Sequence, residues 1–219
     1  MLAQNQEVMY IYSCCSILAL RYNFFRMNEL QADFSNDISE CLHVLHDGGI
    51  ILYPTDTVWG IGCDATNVNA VNKVIELKQR PANKSFVVLV AEKKDILTYT
   101  ASPDLAVFDY LQTMQKPTTV IYDNALGLAE NILGDDGSVA IRICKDDFCY
   151  HLIKRFRKPI VSTSANISGN PYPVSFSEIA GEIKQGVGYV VAHRQQEHLK
   201  TTPSSVIRWS NGKIIIIRP

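Results

Sequence analysis

The sequence predicts an α/β fold in a single domain, and three observations carry that prediction. From residue 35 onward, short apolar runs alternate with segments of helical periodicity. The run from Phe86 to Ala91 is apolar throughout, as a strand covered on both faces of a sheet must be. Ser205 to Trp209 and Lys213 to Arg218 flank Asn211-Gly212, the strongest short hairpin signal. Parallel and antiparallel cues thus share one chain, and a mixed sheet is expected.

The elements follow in order. Asp37 with Glu40 three residues later reads as a capping box. Ile38, Cys41, Leu42 and Leu45 then mark one helix face, which Gly48-Gly49 ends. Ile50 to Tyr53 is a short strand running into a Pro-led turn, and Val58 to Cys63 follows with two glycines. A second helix starts near Asn67 or Asn69 and presents Val71, Val74, Ile75 and Lys78 on one face. Ser102-Pro103 is expected to open a helix reaching about Met114. Thr118 to Tyr122, Val139 to Cys144, Ile160 to Ser164 and Tyr189 to Ala192 read as strands, and Phe148 to Arg157 as a helix. Ser175 with Glu178 reads as a second capping box, opening a helix that closes at Gly186.

Composition removes several classes. The chain has 219 residues, 47% hydrophobic and 20% charged, which excludes wholesale disorder and a fibrous rod. A chain this long buries about 70% of its unfolded surface and needs no metal or disulfide staple. The formal net charge of −1 excludes a uniformly basic coat but permits a local basic patch. Cys14, Cys15, Cys41, Cys63, Cys144 and Cys149 show no CxxC spacing, so reduced thiols in a cytoplasmic protein are expected. The apolar run Val8 to Leu20 is interrupted by Ser13 and Ser16 and is too short to span a bilayer. It also lacks the basic flank and small-residue end of a signal peptide, and no membrane partner is expected. Residues 1–26 share none of the periodicity that follows Met27 and read as an atypical leader, either upstream sequence or the product of an alternative start, with 27–219 expected as the single domain.

The candidate chemistry lies in five segments. No GxxxxGK[ST], GxGxxG or GxSxG pattern is present. His43 and His46 stand i, i+3 near Asp47, a pair without a third metal ligand. Lys78-Gln79-Arg80-Pro81, followed by Lys84, puts three cations around a helix exit, because Pro81 disfavours the helical region for Arg80. These could bind a polyphosphate or simply answer the helix dipole. Ser162 to Gly169 follows an apolar strand, the usual place for a ligand in an α/β sheet, and also fits a plain Ser/Asn turn. Pro54-Thr55-Asp56-Thr57-Val58-Trp59-Gly60 could hold a small ligand or only reverse the chain. Lys154-Arg155-Phe156-Arg157-Lys158 could touch RNA phosphates or form a solvated helix end.

The order and spacing of these segments are more specific than any one of them. Residues 54–62, the Lys78-x-Arg80-Pro81-x-x-Lys84 segment, Ser138 to Arg142, Ser162 to Gly169, and the closing Ser204-Ser205-Val206 with Arg218 together resemble the YrdC-like family of L-threonylcarbamoyladenylate synthases. The resemblance covers about residues 35 to 219 and includes that family's tetrad, here Lys78, Arg80, Ser164 and Asn166. It implies an open, twisted sheet with helices around a concave, positively charged face of the double-stranded-RNA-binding type. It also implies conversion of L-threonine, bicarbonate and ATP to threonylcarbamoyl-AMP and pyrophosphate. A transferase complex would then modify the adenosine beside the anticodon in tRNAs reading ANN codons. By the same matching, Arg80, Lys84, Ser138, Ser164 and Arg218 would contact ATP. Thr55, Thr57, Arg142 and Ser204 would meet threonine, with Lys78 and Asn166 completing the site. Mg²⁺ would be held mainly by the phosphates and not by protein side chains.

Trp59 stands where the family usually has tyrosine or phenylalanine, and Ser85 where it has proline or glycine. The C-terminal domain of longer members is absent, so the resemblance is to the short form. Two alternatives stay open: a non-catalytic double-stranded RNA or tRNA-binding module, and a YciO-like paralogue of different activity. At a helix exit, truncation of either Lys78 or Arg80 to alanine is expected to cut turnover by orders of magnitude and spare the fold. A chain starting at Met27 is expected to fold and to keep its activity. Loss of either would show that the leader packs onto the domain.

Overall fold

The computed structural model describes residues 34–81, 86–197, 202–210 and 213–219. The leader 1–26, Lys84, Ser85 and the Asn211-Gly212 turn lie outside the described residues. The chain divides after Asn36 into two units, and of the first only residues 34–36 are described. The second, Asp37–Pro219, carries the sheet.

Nine strands form that sheet: β1 (Ile51–Tyr53), β2 (Gly60–Gly62), β3 (Val87–Val90), β4 (Thr118–Tyr122), β5 (Val139–Ile143), β6 (Ile160–Ser164), β7 (Tyr189–Val190), β8 (Ser205–Ser210) and β9 (Lys213–Arg218). Their order is β7-β1-β2-β6-β3-β5-β4-β8-β9. Three neighbouring pairs are parallel (β7/β1, β3/β5 and β4/β8) and the rest antiparallel. The mixed, open α/β sheet expected from the sequence is the one observed. β8 and β9 form the expected hairpin.

Among the described residues, six helices accompany the strands: α1 (Ser35–His46), α2 (Val68–Lys78), α3 (Lys93–Tyr99), α4 (Ala106–Thr113), α5 (Asp147–Phe156) and α6 (Gly181–Gln185). α1 buries Ile38, Cys41 and Leu45, one turn after another along the expected face. Asp37 does not cap it. It sits inside the helix, 5% exposed, and accepts hydrogen bonds from Tyr189 Oη (2.6 Å), Ala192 N (2.9 Å) and His193 N (2.8 Å). A carboxylate with three donors is well compensated for its burial, and here it ties α1 to the end of β7.

Two helix starts also differ from expectation. Ser102 adopts φ +48°, and α4 begins beyond it, with Asp104 Oδ1 accepting from Ala106 N at 3.0 Å. Ser175 turns its hydroxyl to Ser177 Oγ (2.9 Å), while Glu178 accepts from Val174 N (2.9 Å). The result is a single 3₁₀ turn, Phe176–Glu178, separated from α6 by an extended Ile179. α3 carries only one buried residue, Ile96, too little periodicity to register, although Glu92 and Asp95 form a capping box at its start.

Cys41, Cys63, Cys144 and Cys149 are free and buried. Burial pushes the Cys41, Cys63 and Cys149 thiols upward in pKa, so they behave as inert core residues. Among the described residues, no helix is long and apolar enough to cross a membrane.

Close packing at one end of the sheet depends on Gly62. A Cβ there would lie 2.6 Å from the Tyr53 ring, 2.8 Å from Val161 O and 2.9 Å from an Ile160 methyl. β2 lies between β1 and β6 and can approach both only without a side chain at this point. Gly62→Ala is therefore expected to destabilise the protein by about 1–3 kcal/mol, read as a lowered denaturant midpoint. A loss under about 0.5 kcal/mol would show that the three strands can part freely.

Candidate active site

One face of the central strands closes around a cavity of about 390 Å³. The register aligns its wall: Gly60 pairs with Ser164, Val87 with both Ser162 and Ala140, and Ala140 with Ile121. Paired residues share a face, and side chains two apart on a strand point the same way. Ser162 and Ser164 therefore face inward from β6, and Arg142 stands beside Ala140 on β5. Of the residues named from the sequence, Thr57, Arg80, Arg142, Ser164, Ser204 and Arg218 meet on this wall. Three guanidiniums and several hydroxyls thus face one space, and among the described residues none of its lining is acidic. That donor set suits anions.

The α2 exit explains why Lys78 and Arg80 part company. Asn67 caps α2, accepting from Asn69 N and Ala70 N, and Gln79 ends it in the left-handed conformation (φ 48°, ψ 47°). Lys78 remains on the buried face, 1% exposed, and its Nζ donates to the carbonyl oxygens of Ser164 and Asn166. Burial first, and the charge of Arg80 second, pull its pKa from 10.5 to about 7. Arg80, beyond the reversal, lies over the Phe86 ring at 4.4 Å and reaches the cavity. Burial lowers its pKa as well. Lys78 is thus not an exposed cation at a helix end. It is among the largest fully buried side chains, and its truncation would leave a void and strand the carbonyl of Asn166, whereas Ser164 O keeps its bond from Asn166 N (2.9 Å). The expectation that truncation spares the fold fails for Lys78, which lies in the packed face, and stays an expectation for Arg80, which leaves it.

Asn166 also departs from its expected direction. β6 ends at Ser164, and the next residues bend, so Asn166 does not continue the Ser162–Ser164 row. Its amide donates to Ile167 O (2.9 Å) and Asn170 O (2.7 Å), and it stands off the cavity wall. Ser168 N donates to Lys78 O at 2.8 Å, which fixes this loop to the α2 exit.

The Pro54–Gly60 turn is held by its own hydroxyls. Thr55 Oγ1 lies 3.0 Å from Thr57 Oγ1, donates to Val58 O (2.8 Å) and accepts from Thr57 N (3.1 Å). Thr57 reaches the cavity, whereas Thr55 stands behind it. Arg142 Nη1 donates to Thr57 Oγ1 at 3.0 Å, and Nη2 lies 3.2 Å from Asp56 Oδ1. On the far wall, Arg218 donates twice to Ser204 O (3.0 and 2.9 Å), and Ser204 Oγ lies 2.8 Å from Thr119 Oγ1. Desolvation, then the charge of Arg142, lowers the pKa of Arg218. Ser138 lies two residues before Ala140 on the same face, off the wall, with its backbone N–H on Asp136 Oδ1 (3.1 Å). Trp59 packs on Phe176 with ring centroids 4.9 Å apart and lines a small neighbouring recess instead.

Asp56, Phe86 and Tyr172 belong to the site's surroundings without having been singled out by sequence. Asp56 and Phe86 lay inside the segments already marked, but only tertiary contacts give them partners. Elsewhere, Lys154 pairs with Glu92 (3.3 Å) and Lys158 with Asp64 (2.6 Å), so two cations of the basic cluster are already matched. His43 lies 3.8 Å from Asp47 and His46 packs on Phe156; no cluster of three metal-type ligands occurs among the described residues.

Comparison with known proteins places this geometry. A threonylcarbamoyl-AMP synthase of Pseudoalteromonas translucida (strain TAC 125) is 30% identical over 182 residues, 81% of this chain and 95% of the relative. A doubly substituted form of P. abyssi Sua5 superposes with a TM-score of 0.75 at 26% identity, covering 83% of this chain and 56% of that one. P. abyssi Sua5 complexed with L-threonine has the same fold, with a TM-score of 0.74 at 24% identity over 83% of this chain and 53% of that one. The chain therefore spans little more than half the length of the Sua5 proteins it matches. The family model for Sua5, YciO and YrdC, described as telomere recombination, matches residues 43–219, and the chain belongs to that family.

Proposed function

We propose that the protein is a threonylcarbamoyl-AMP synthase, joining L-threonine, bicarbonate and ATP with release of pyrophosphate. The observation that carries the reading is a cavity whose charged lining is three guanidiniums. The name of the Pseudoalteromonas relative supports it.

The chemistry needs little beyond what such a cavity offers. Threonine's amine and bicarbonate condense to a carbamate with loss of water, and the carbamate is itself an anionic nucleophile, so attack on the α-phosphorus requires no dedicated general base. The barrier lies in bringing two anions together and in compensating charge as pyrophosphate leaves. Arg80 and Arg218 are placed to take nucleotide phosphates, with the Ser164 hydroxyl between strand end and loop. Lys84 and Ser138 are proposed to extend that contact. Arg142 is proposed to take the threonine carboxylate in its planar fork, with Thr57 and Ser204 supplying hydroxyl contacts and Thr55 holding Thr57. Lys78 and Asn166 act by fixing the loop after β6. Guanidiniums and hydroxyls are the wrong donors for Mg²⁺, which is proposed to arrive held by the nucleotide's own phosphates. The product would serve a threonylcarbamoyl-transferase complex acting on tRNAs that read ANN codons, in the cytoplasm.

The direct test is pyrophosphate release from ATP that depends on both threonine and bicarbonate. Its absence would favour a YciO-like paralogue or an RNA-binding role. Within this reading, Arg80→Ala is expected to cut turnover by orders of magnitude at an unchanged melting temperature, because it removes about 2–4 kcal/mol of transition-state stabilisation. Lys78→Met is expected instead to lower stability by about 1–3 kcal/mol for the stranded carbonyl. Lys78 carries a sign of its own. Its folded pKa is depressed, so between about pH 7 and 10.5 the unfolded chain holds more protons and its contribution to stability rises with pH. That rise should vanish in Lys78→Met when melting is followed across the window.

Selectivity among amino acids follows from how little one methyl group can supply. Threonine over serine is limited to about 1–3 kcal/mol, or roughly 10- to 200-fold. Valine should be rejected more steeply, because a hydroxyl of Thr57 or Ser204 would lose its partner. The expected order of specificity constants is threonine, serine, valine. Valine equal to serine would mean that the site reads size and carboxylate alone.

A further inference from the structure

Asp56 has no assigned role in the family resemblance, yet it holds the cation assigned to the amino acid. Arg142 is 4% exposed and Asp56 13%, and Arg142 Nη2 lies 3.2 Å from Asp56 Oδ1. Arg142 Nη1 is taken by Thr57 Oγ1 at 3.0 Å. Its Nε–H and Asp56 Oδ1 are both buried without a hydrogen-bond partner among the described residues, so the two groups are held by charge and not by a hydrogen bond. Asp56 is itself anchored by the backbone N–H of Lys145, at 3.5 Å from Oδ2.

Arg218, across the cavity, is supported differently. Its Nε and Nη2 rest on the carbonyl oxygen of Ser204, a neutral acceptor. Arg218 therefore keeps a full positive charge facing the cavity, and Arg142 forms with Asp56 a pair of net charge zero. The two kinds of support suit different anions. A polyphosphate is drawn by net charge acting over several ångströms, whereas a monoanionic carboxylate is recognised by the direction of a few N–H groups. An uncompensated Arg142 would be a third cation that phosphate groups could claim.

We infer that Asp56 is the residue that divides the cavity's cations by task. It neutralises Arg142, which Thr57 orients, for a carboxylate and leaves the phosphates to Arg218 and its neighbours. Asp56 is a positioning residue, acting through Arg142. The inference rests on the proposed function only for the identity of the two substrates.

The test uses the full chain and inorganic pyrophosphate, followed by titration calorimetry, so that it does not require turnover. Asp56→Asn unmasks one positive charge and should bind pyrophosphate roughly five- to tenfold tighter, with the gain shrinking as salt rises. Asp56→Glu should restore the original affinity. Unchanged or weaker binding by folded Asp56→Asn overturns the inference. If that variant does not fold, two guanidinium losses answer the same question. Arg142→Gln should weaken pyrophosphate binding by less than about threefold and Arg218→Gln by more than about tenfold, and equal losses overturn it. In the release assay, Asp56→Asn should raise the KM for threonine about tenfold with a smaller change in kcat. A parent chain without threonine-dependent release would sink the functional reading and leave the calorimetric comparison standing.

Discussion

The site depends on one buried ammonium. Lys78 donates to the carbonyls of Ser164 and Asn166, and its own carbonyl accepts from Ser168 N. The α2 exit and the loop after β6 are thus clasped in both directions. A lysine so fully enclosed is costly to keep charged, and its lowered pKa expresses that cost. What it secures is position. With Lys78 fixed, the left-handed Gln79 turns the chain by a set amount and delivers Arg80 onto the Phe86 ring, at the cavity edge. Ser164 is fixed from the same point on the opposite side.

Much of this was legible in the sequence, for reasons that differ by residue. The mixed sheet could be read because β3 is a continuous apolar run and β8 and β9 flank an Asn-Gly pair. Pro81 showed where α2 must end. Other features depend on contacts that no local pattern encodes. Asp37 looked like a cap because it lies three residues before Glu40, but Tyr189 and the backbone beyond β7 claim its carboxylate. Asn166 shares spacing with Ser162 and Ser164, yet alternation stops where the strand stops, and its amide turns into its own loop. Lys78 and Arg80 look alike in sequence. One left-handed residue between them makes one a core side chain and the other a ligand-facing one.

The cavity gathers three guanidiniums on an α/β sheet whose sequence has no glycine-rich phosphate loop. Each guanidinium is braced by a different kind of neighbour: an aromatic ring for Arg80, a carboxylate for Arg142 and a backbone carbonyl for Arg218. Bracing removes the rotational freedom of a long side chain before a ligand arrives, so less entropy is lost on binding. The same bracing keeps mutually repelling cations at fixed separations.

The parallel pairing of β8 with β4 governs when the site comes into being. Thr57 lies on the turn before β2 and Arg218 on β9, so the wall is drawn from both ends of the sheet. β9 can join only after β8 has docked beside β4, a contact between segments distant in the chain, and such pairings form slowly. On a ribosome, the first strands can pair while Ser204 and Arg218 are still unmade. The cavity wall is therefore completed only when the last strand of the chain is in place.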